Sequence, residues 1–180
     1  MKLDIKYTIN YLLDYDIGVP KLLIAGIAIV LGIIIVFYLT KGNKVKIARN
    51  ASWCILIGYI FFVLSITLLF RHSTGKVHYY LYPLWSYSVL YERMLAELIL
   101  NVFLFIPIGF FASGALKKKI LWNVVGIGFL VSLFIEMTQL ITTRGVFNVD
   151  DIIHNTLGCV LGFACFVLCQ KLMRSQLKQC

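Results

Sequence analysis

Apolar residues along this chain fall into five long runs separated by short polar stretches. A helix needs about 20 apolar residues to cross a hydrocarbon layer roughly 30 Å thick. Residues 22–40, 51–70, 98–116, 120–143 and 152–169 meet that length. The one full charge in these runs is Glu136. In hydrocarbon every backbone polar group must be bonded within the protein, so the runs are predicted to be helices, and the alternation of a membrane barrel strand is absent. The predicted fold is all-α: a polytopic membrane protein, a single domain over 1–180 with a bundle of five transmembrane helices. Residues 1–21 mix Lys2 and Lys6 with Asp4, Asp14 and Asp16, and set Tyr7, Tyr11 and Tyr15 on one helical face. That pattern predicts a short interfacial helix and not a cleaved signal.

Composition agrees. Of the 180 residues 61% are apolar and 14% charged, against roughly a quarter charged in soluble domains. A disordered chain and an ordinary soluble domain are both excluded. Lys and Arg number 17 against 8 Asp and Glu, a net charge of +9. In a membrane protein that excess marks cytoplasmic loops, and nucleic acid is not an expected partner. Lys41, Lys44, Lys46, Arg49, Lys117, Lys118, Lys119, Lys171, Arg174 and Lys178 lie at one set of helix ends. Lys2, Lys6, Lys21, Arg71, Lys76, Arg93 and Arg144 lie at the other. The bias predicts a multi-pass plasma-membrane protein with its N-terminus outside and its C-terminus cytoplasmic.

The residues that carry chemistry are those that are costly to bury, since a charge at mid-bilayer costs at least ~2.5 kcal/mol. Ser132, Glu136, Gln139 and Thr143 are spaced four, three and four apart, one stripe of the fourth helix. Asp151, Asn155, Gly158 and Gly162 repeat those increments on the fifth, Glu97 and Asn101 lie one turn apart on the third, and Arg71 closes the second. With the predicted topology all of these, and Arg144, come to the outer leaflet. The expected site is an outward polar pocket of Arg71, Asn101, Glu136, Gln139, Arg144, Asp151 and Asn155, with the two arginines compensating the carboxylates. The competing reading is a network that only pins helices together. Gly158 and Gly162 form a small-xxx-small pair, read as a close-packing seam or as a homodimer contact. Pro107 is expected to kink the third helix.

The loop from Arg71 to Arg93 gathers Tyr79, Tyr80, Tyr82, Trp85, Tyr87 and Tyr91 around Pro83. Tyr and Trp favour headgroup depth, so the loop is expected in the interface, or as a lid over the pocket. Cys54, Cys159, Cys165, Cys169 and Cys180 lack metal spacing, as do His72, His78 and His154. No metal or cofactor is expected.

At these residues the sequence resembles the VanZ-like family of bacterial membrane proteins. Asn101-Val-Phe-Leu-Phe-Ile-Pro107-Ile-Gly109 resembles its N-x3-F-x-P-x-G signature, Glu136-x-x-Gln139 its E-x-x-Q pair, and Arg144, Asp151, Asn155, Thr156 and Gly158 its R-x6-D-x3-N-T-x-G segment. Two departures are Asn148, where relatives often carry an acid, and Tyr80-Leu81-Tyr82-Pro83-Leu84, where they tend to read N-L-x-P-F. The family takes its name from a teicoplanin-resistance protein. The resemblance therefore implies an envelope protein that lowers susceptibility to lipid-tailed glycopeptides, here by binding or displacing a membrane lipid or lipid-linked amphiphile, without catalysis. The alternative is an intramembrane enzyme acting on a lipid or lipid-linked cell-wall precursor. Glu136 and Asp151 would be its base and acid, and Arg144 would stabilise developing charge.

Overall fold

A computed structural model describes residues 45–69, 73, 75–88, 92–116 and 120–177. The interfacial segment, the first predicted span (22–40), Arg71 and His72 lie outside the described residues. Helix α1 (Val45–Leu64) runs on into a π-helical turn, Ser65–Leu69. A short helix α2 (Trp85–Ser88) follows, and then the long helices α3 (Glu92–Ala115), α4 (Leu121–Thr142) and α5 (Val149–Leu177). Four of them, α1 with its π turn, α3, α4 and α5, are long and apolar enough to cross a membrane. The chain is an all-α polytopic membrane protein.

Apolar side chains face both ways, as such a solvent requires. Phe105, Phe111, Leu56, Ile108 and Val63 fill the centre. Phe61, Leu130 and Ile141 lie 64–76% exposed on the outer surface, where lipid and not water is their natural neighbour. The helices overlap four of the predicted spans, and α1, α3 and α5 extend beyond those spans at one end or both. Helix α1 takes in Lys46 and Arg49, which are sound helix formers even though they are poor membrane residues. Helix α5 likewise continues to Leu177.

The helices alternate in direction. Tyr59 Oη donates to the Leu104 carbonyl, and Ser52 lies against Gly114, so α1 and α3 are antiparallel. Ser132 meets Asn155, and Gly128 meets Cys159, so α4 and α5 are antiparallel too. Helices α3 and α5 run parallel. Gly158 sits on the Val102 carbonyl and Gly162 on that of Ile106, and a Cβ there would come within 2.3 and 2.0 Å of those oxygens. Only glycine permits that approach, so the small-residue face of α5 is covered by α3 of the same chain. Pro107 is fully buried within α3 and does not end it. Just before it, the Tyr59 hydroxyl and the Cys159 thiol reach the Leu104 and Phe105 carbonyls.

One feature lies outside the helical plan. Strand β1 (His78–Tyr80) pairs in parallel with β2 (Val146–Asn148), in the register His78↔Val146, Tyr79↔Phe147 and Tyr80↔Asn148. Two loops far apart in sequence are thereby joined over one end of the bundle, here called the loop end. Three-residue strands carry too little pattern to be read from sequence.

Candidate functional site

The polar residues of α4 and α5 meet at the loop end. Ser132, Glu136 and Gln139 share the buried stripe of α4 with Val124, Gly128 and Ile135. Glu136 is 2% exposed, and its Oε2 accepts the Asn148 backbone N–H at 2.8 Å. Asn155 Nδ2 donates to Ser132 Oγ at 2.8 Å, and Gln139 Nε2 donates to the Thr67 carbonyl at 3.2 Å. The remaining amide oxygens, Gln139 Oε1 and Asn155 Oδ1, are buried without a hydrogen-bond partner.

The π turn carries Thr67 and Leu68, whose carbonyls are reached from α4 and the residues that follow it. Gln139 takes the Thr67 oxygen, and Arg144 Nη1 donates to the Leu68 oxygen at 3.5 Å. Arg144 is exposed and turns to this helix end, not to Glu136 or Asp151 among the described residues. Helix α4 stops immediately before it. Thr143 adopts a left-handed φ of 54°, and the Arg144 N–H closes on the Gln139 carbonyl at 3.2 Å.

Asn148 organises the start of α5. Its Oδ1 accepts the Asp150 N–H at 3.1 Å, an N-cap bond, while its Nδ2 reaches Asp151 Oδ1 at 3.3 Å and Ser86 Oγ at 3.5 Å. Asn and Asp cap helices about equally well, so the neutral side chain serves the cap as an acid would. Both candidate carboxylates, Glu136 and Asp151, thus bond to this one residue.

The aromatic loop is docked on the same helix start. Asp150 is fully buried, and its carboxylate accepts the N–H of Leu84 and, at 2.9 Å, that of Ser86. It caps α2 from across the chain, and Leu84 takes a left-handed φ of 63° to deliver its N–H. One turn on, His154 places Nδ1 2.6 Å from the Asp150 carbonyl and Nε2 2.6 Å from Tyr87 Oη. Tyr80 stacks on Trp85 at 3.9 Å, and Ser73 Oγ lies 2.6 Å from Thr143 Oγ1. The loop still presents Tyr79, Leu81, Tyr82 and Leu84 outward, 57–80% exposed.

Of the residues expected in the pocket, Glu136 and Asp151 come together on Asn148, and Asn155 bonds to Ser132 one turn away on α4. Gln139 and Arg144 hold the end of α1. Asn101 lies half-buried on α3, one residue before Val102, which touches Gly158. Arg71 lies outside the described residues. The stripe read on α5 divides between two neighbours, Asn155 turning to α4 and the glycines to α3. Asp150 and His154 were not among the expected pocket residues. They have the same four-residue spacing as Asp151 and Asn155, and the signal that separates the pairs is a third neighbour, the loop. Among the described residues no group of three or more His, Cys, Asp or Glu is gathered for a metal ion.

No curated protein and no solved structure matches the chain. A family model does, over residues 27–170, which take in three of the described membrane helices, most of α5 and every polar residue above. By that match, and by the motifs those residues form, the chain belongs to the VanZ/LLP1 family.

Proposed function

We propose that this VanZ/LLP1 protein lowers susceptibility to lipid-tailed glycopeptides of the teicoplanin type, with its loop end facing outward and taking up an amphiphile among Glu136, Gln139, Asn155, Asp151, Arg144, Asn101 and Arg71. The observation that carries the reading is the burial of the Glu136 carboxyl to 2% at the end capped by the aromatic loop. Polar contacts between membrane helices are worth about 1 kcal/mol or less each. Pinning helices is therefore a weak return for burying a carboxyl group, and the glycine contacts of α3 and α5 already fix those two helices. The test is expression in a Gram-positive host with measured inhibitory concentrations. A higher value for teicoplanin, with no change for a glycopeptide that lacks the lipid tail, supports the reading. Unchanged values for both overturn it.

The catalytic alternative draws on Asn148, whose backbone N–H and side-chain amide bond Glu136 and Asp151 respectively. Two carboxylates held on one residue suit a general base and acid on a lipid-linked precursor. Incubating purified protein with such a precursor and reading products by mass spectrometry decides the matter. Turnover abolished by Glu136→Gln makes the protein an enzyme, and the absence of any product leaves binding as its role.

A further inference from the structure

The two ends of the bundle differ in charge. In residues 41–50, 116–120 and 170–180 the sequence carries ten Lys and Arg and no Asp or Glu. The helix directions bring the described members of that set, Lys46, Arg49 and Lys171, to the end opposite the loops. Contacts between helices give their depth. A Cβ on Gly114 would stand 2.7 Å from Ser52 Oγ and 3.3 Å from the Phe166 ring, so α1, α3 and α5 share one level there. Gly128 meets Cys159, and seven residues on from that contact, along the antiparallel α4 and α5, are Leu121 and Phe166. The start of α4 therefore lies at the same level.

Two tryptophans mark it. Trp53 follows Ser52, Trp122 is the second residue of α4, and both are exposed, Trp122 to 76%. Trp collects at headgroup depth. At 1.5 Å per residue, Arg49, Lys46 and Lys171 stand about 5, 9 and 8 Å farther out. That matches a headgroup layer about 5–8 Å thick on each side of the hydrocarbon. The acids Glu97, Glu136, Asp150 and Asp151 lie about 20 Å or more along their helices on the other side, well past a screening length of ~8 Å. The cations also alternate with exposed apolar side chains, Ile47 (49%) beside Lys46 and Leu172 (67%) beside Lys171. A cationic surface that meets water or an acidic protein gains nothing from such neighbours. The boundary between headgroups and acyl chains accepts both.

We propose that this basic end is a binding surface for anionic phospholipid, with Lys46, Arg49 and Lys171 at the phosphates and Trp53 and Trp122 at the level of the ester groups. The surface is separate from the loop end and does not depend on the function proposed there. Orienting the chain during insertion is one consequence of these charges, and holding anionic lipid on the finished protein is another. Each Lys or Arg at an anionic leaflet is worth roughly fivefold in binding. The test titrates purified protein in detergent with phosphatidylglycerol and with phosphatidylcholine of the same acyl chains, and reads bound lipid by native mass spectrometry. Phosphatidylglycerol should bind about tenfold or more tighter, and the preference should shrink as salt rises from ~0.05 to ~0.5 M. The triple variant Lys46→Gln, Arg49→Gln, Lys171→Gln should lose about tenfold or more in phosphatidylglycerol affinity and keep its affinity for phosphatidylcholine. Lys46→Arg with Lys171→Arg, which keeps the charge, should bind as the parent does. The comparison of lipids on the wild-type protein stands whether or not the triple variant folds. Equal binding of the two lipids by the wild type overturns the proposal. So does a preference that the triple variant retains in full, which would assign it to cations elsewhere in the chain.

Discussion

The α3–α5 contact and the loop end join helices by opposite means. Along α3 and α5 the backbones touch through Gly158 and Gly162, flanked by Phe105, Cys159 and Phe110, with hardly a polar side chain involved. At the loop end the same α5 meets its neighbours through Asn148, Asp150, His154 and Asn155, each bonded across the chain or capping the helix. Close backbone packing is the economical way to hold helices in lipid, where no hydrophobic force acts between them. A molecule that can build the first kind of contact has no need of buried carboxylates for cohesion. The concentration of Glu136, Asp150 and Asp151 at one end accords with the placement of the loop and with the function proposed above.

The comparison breaks most severely at the glycines. Gly162→Leu must displace the Ile106 carbonyl and Phe110 backbone, and should cost about 3 kcal/mol or more, seen as loss of monodisperse protein after detergent extraction. Asp150→Ala strands the Leu84 and Ser86 N–H groups, at about 2–4 kcal/mol. That loss should be local. Hydrogen exchange should rise across residues 77–88 and stay low in α3 and α5, whereas a uniform rise would mean that the loop is part of the bundle's cooperative core. Tyr87→Phe removes only the bond to His154 and should raise exchange in the same loop by about 1 kcal/mol. Arg144→Ala, at an exposed site with one long bond, should change thermal stability least, below about 1 kcal/mol, while lowering protection against teicoplanin.

What the sequence disclosed follows from the strength of each signal. The spans now seen as α1, α3, α4 and α5 were legible because 20-residue apolar runs have few other structural outcomes in lipid. The polar stripe of α4 was legible because Ser132, Glu136 and Gln139 break an otherwise apolar helix at helical spacing. The loop's tertiary role was not. Asp150 and Asp151 are adjacent acids, and only the position of the loop decides that Asp150 is enclosed while Asp151 stays half-buried beside Asn148. The π turn after α1 and the three-residue strands likewise make contacts with residues distant in sequence, where no local periodicity exists to be read. Arg144, expected from charge alone to face the carboxylates, instead reaches the Leu68 carbonyl in the π turn.

The central claim is that the polar end serves a ligand and the glycine contact serves stability, and Glu136→Gln separates the two in one experiment. Glutamine keeps the shape and an oxygen for the Asn148 N–H, and removes the charge. Melting temperature in detergent and teicoplanin inhibitory concentration should be measured on the same variant at matched expression. The account predicts a melting temperature within about 3 °C of the parent, under 1 kcal/mol for a chain of this size, together with loss of the protective effect. Protection that survives the substitution, or that falls only in step with folded protein, would contradict it.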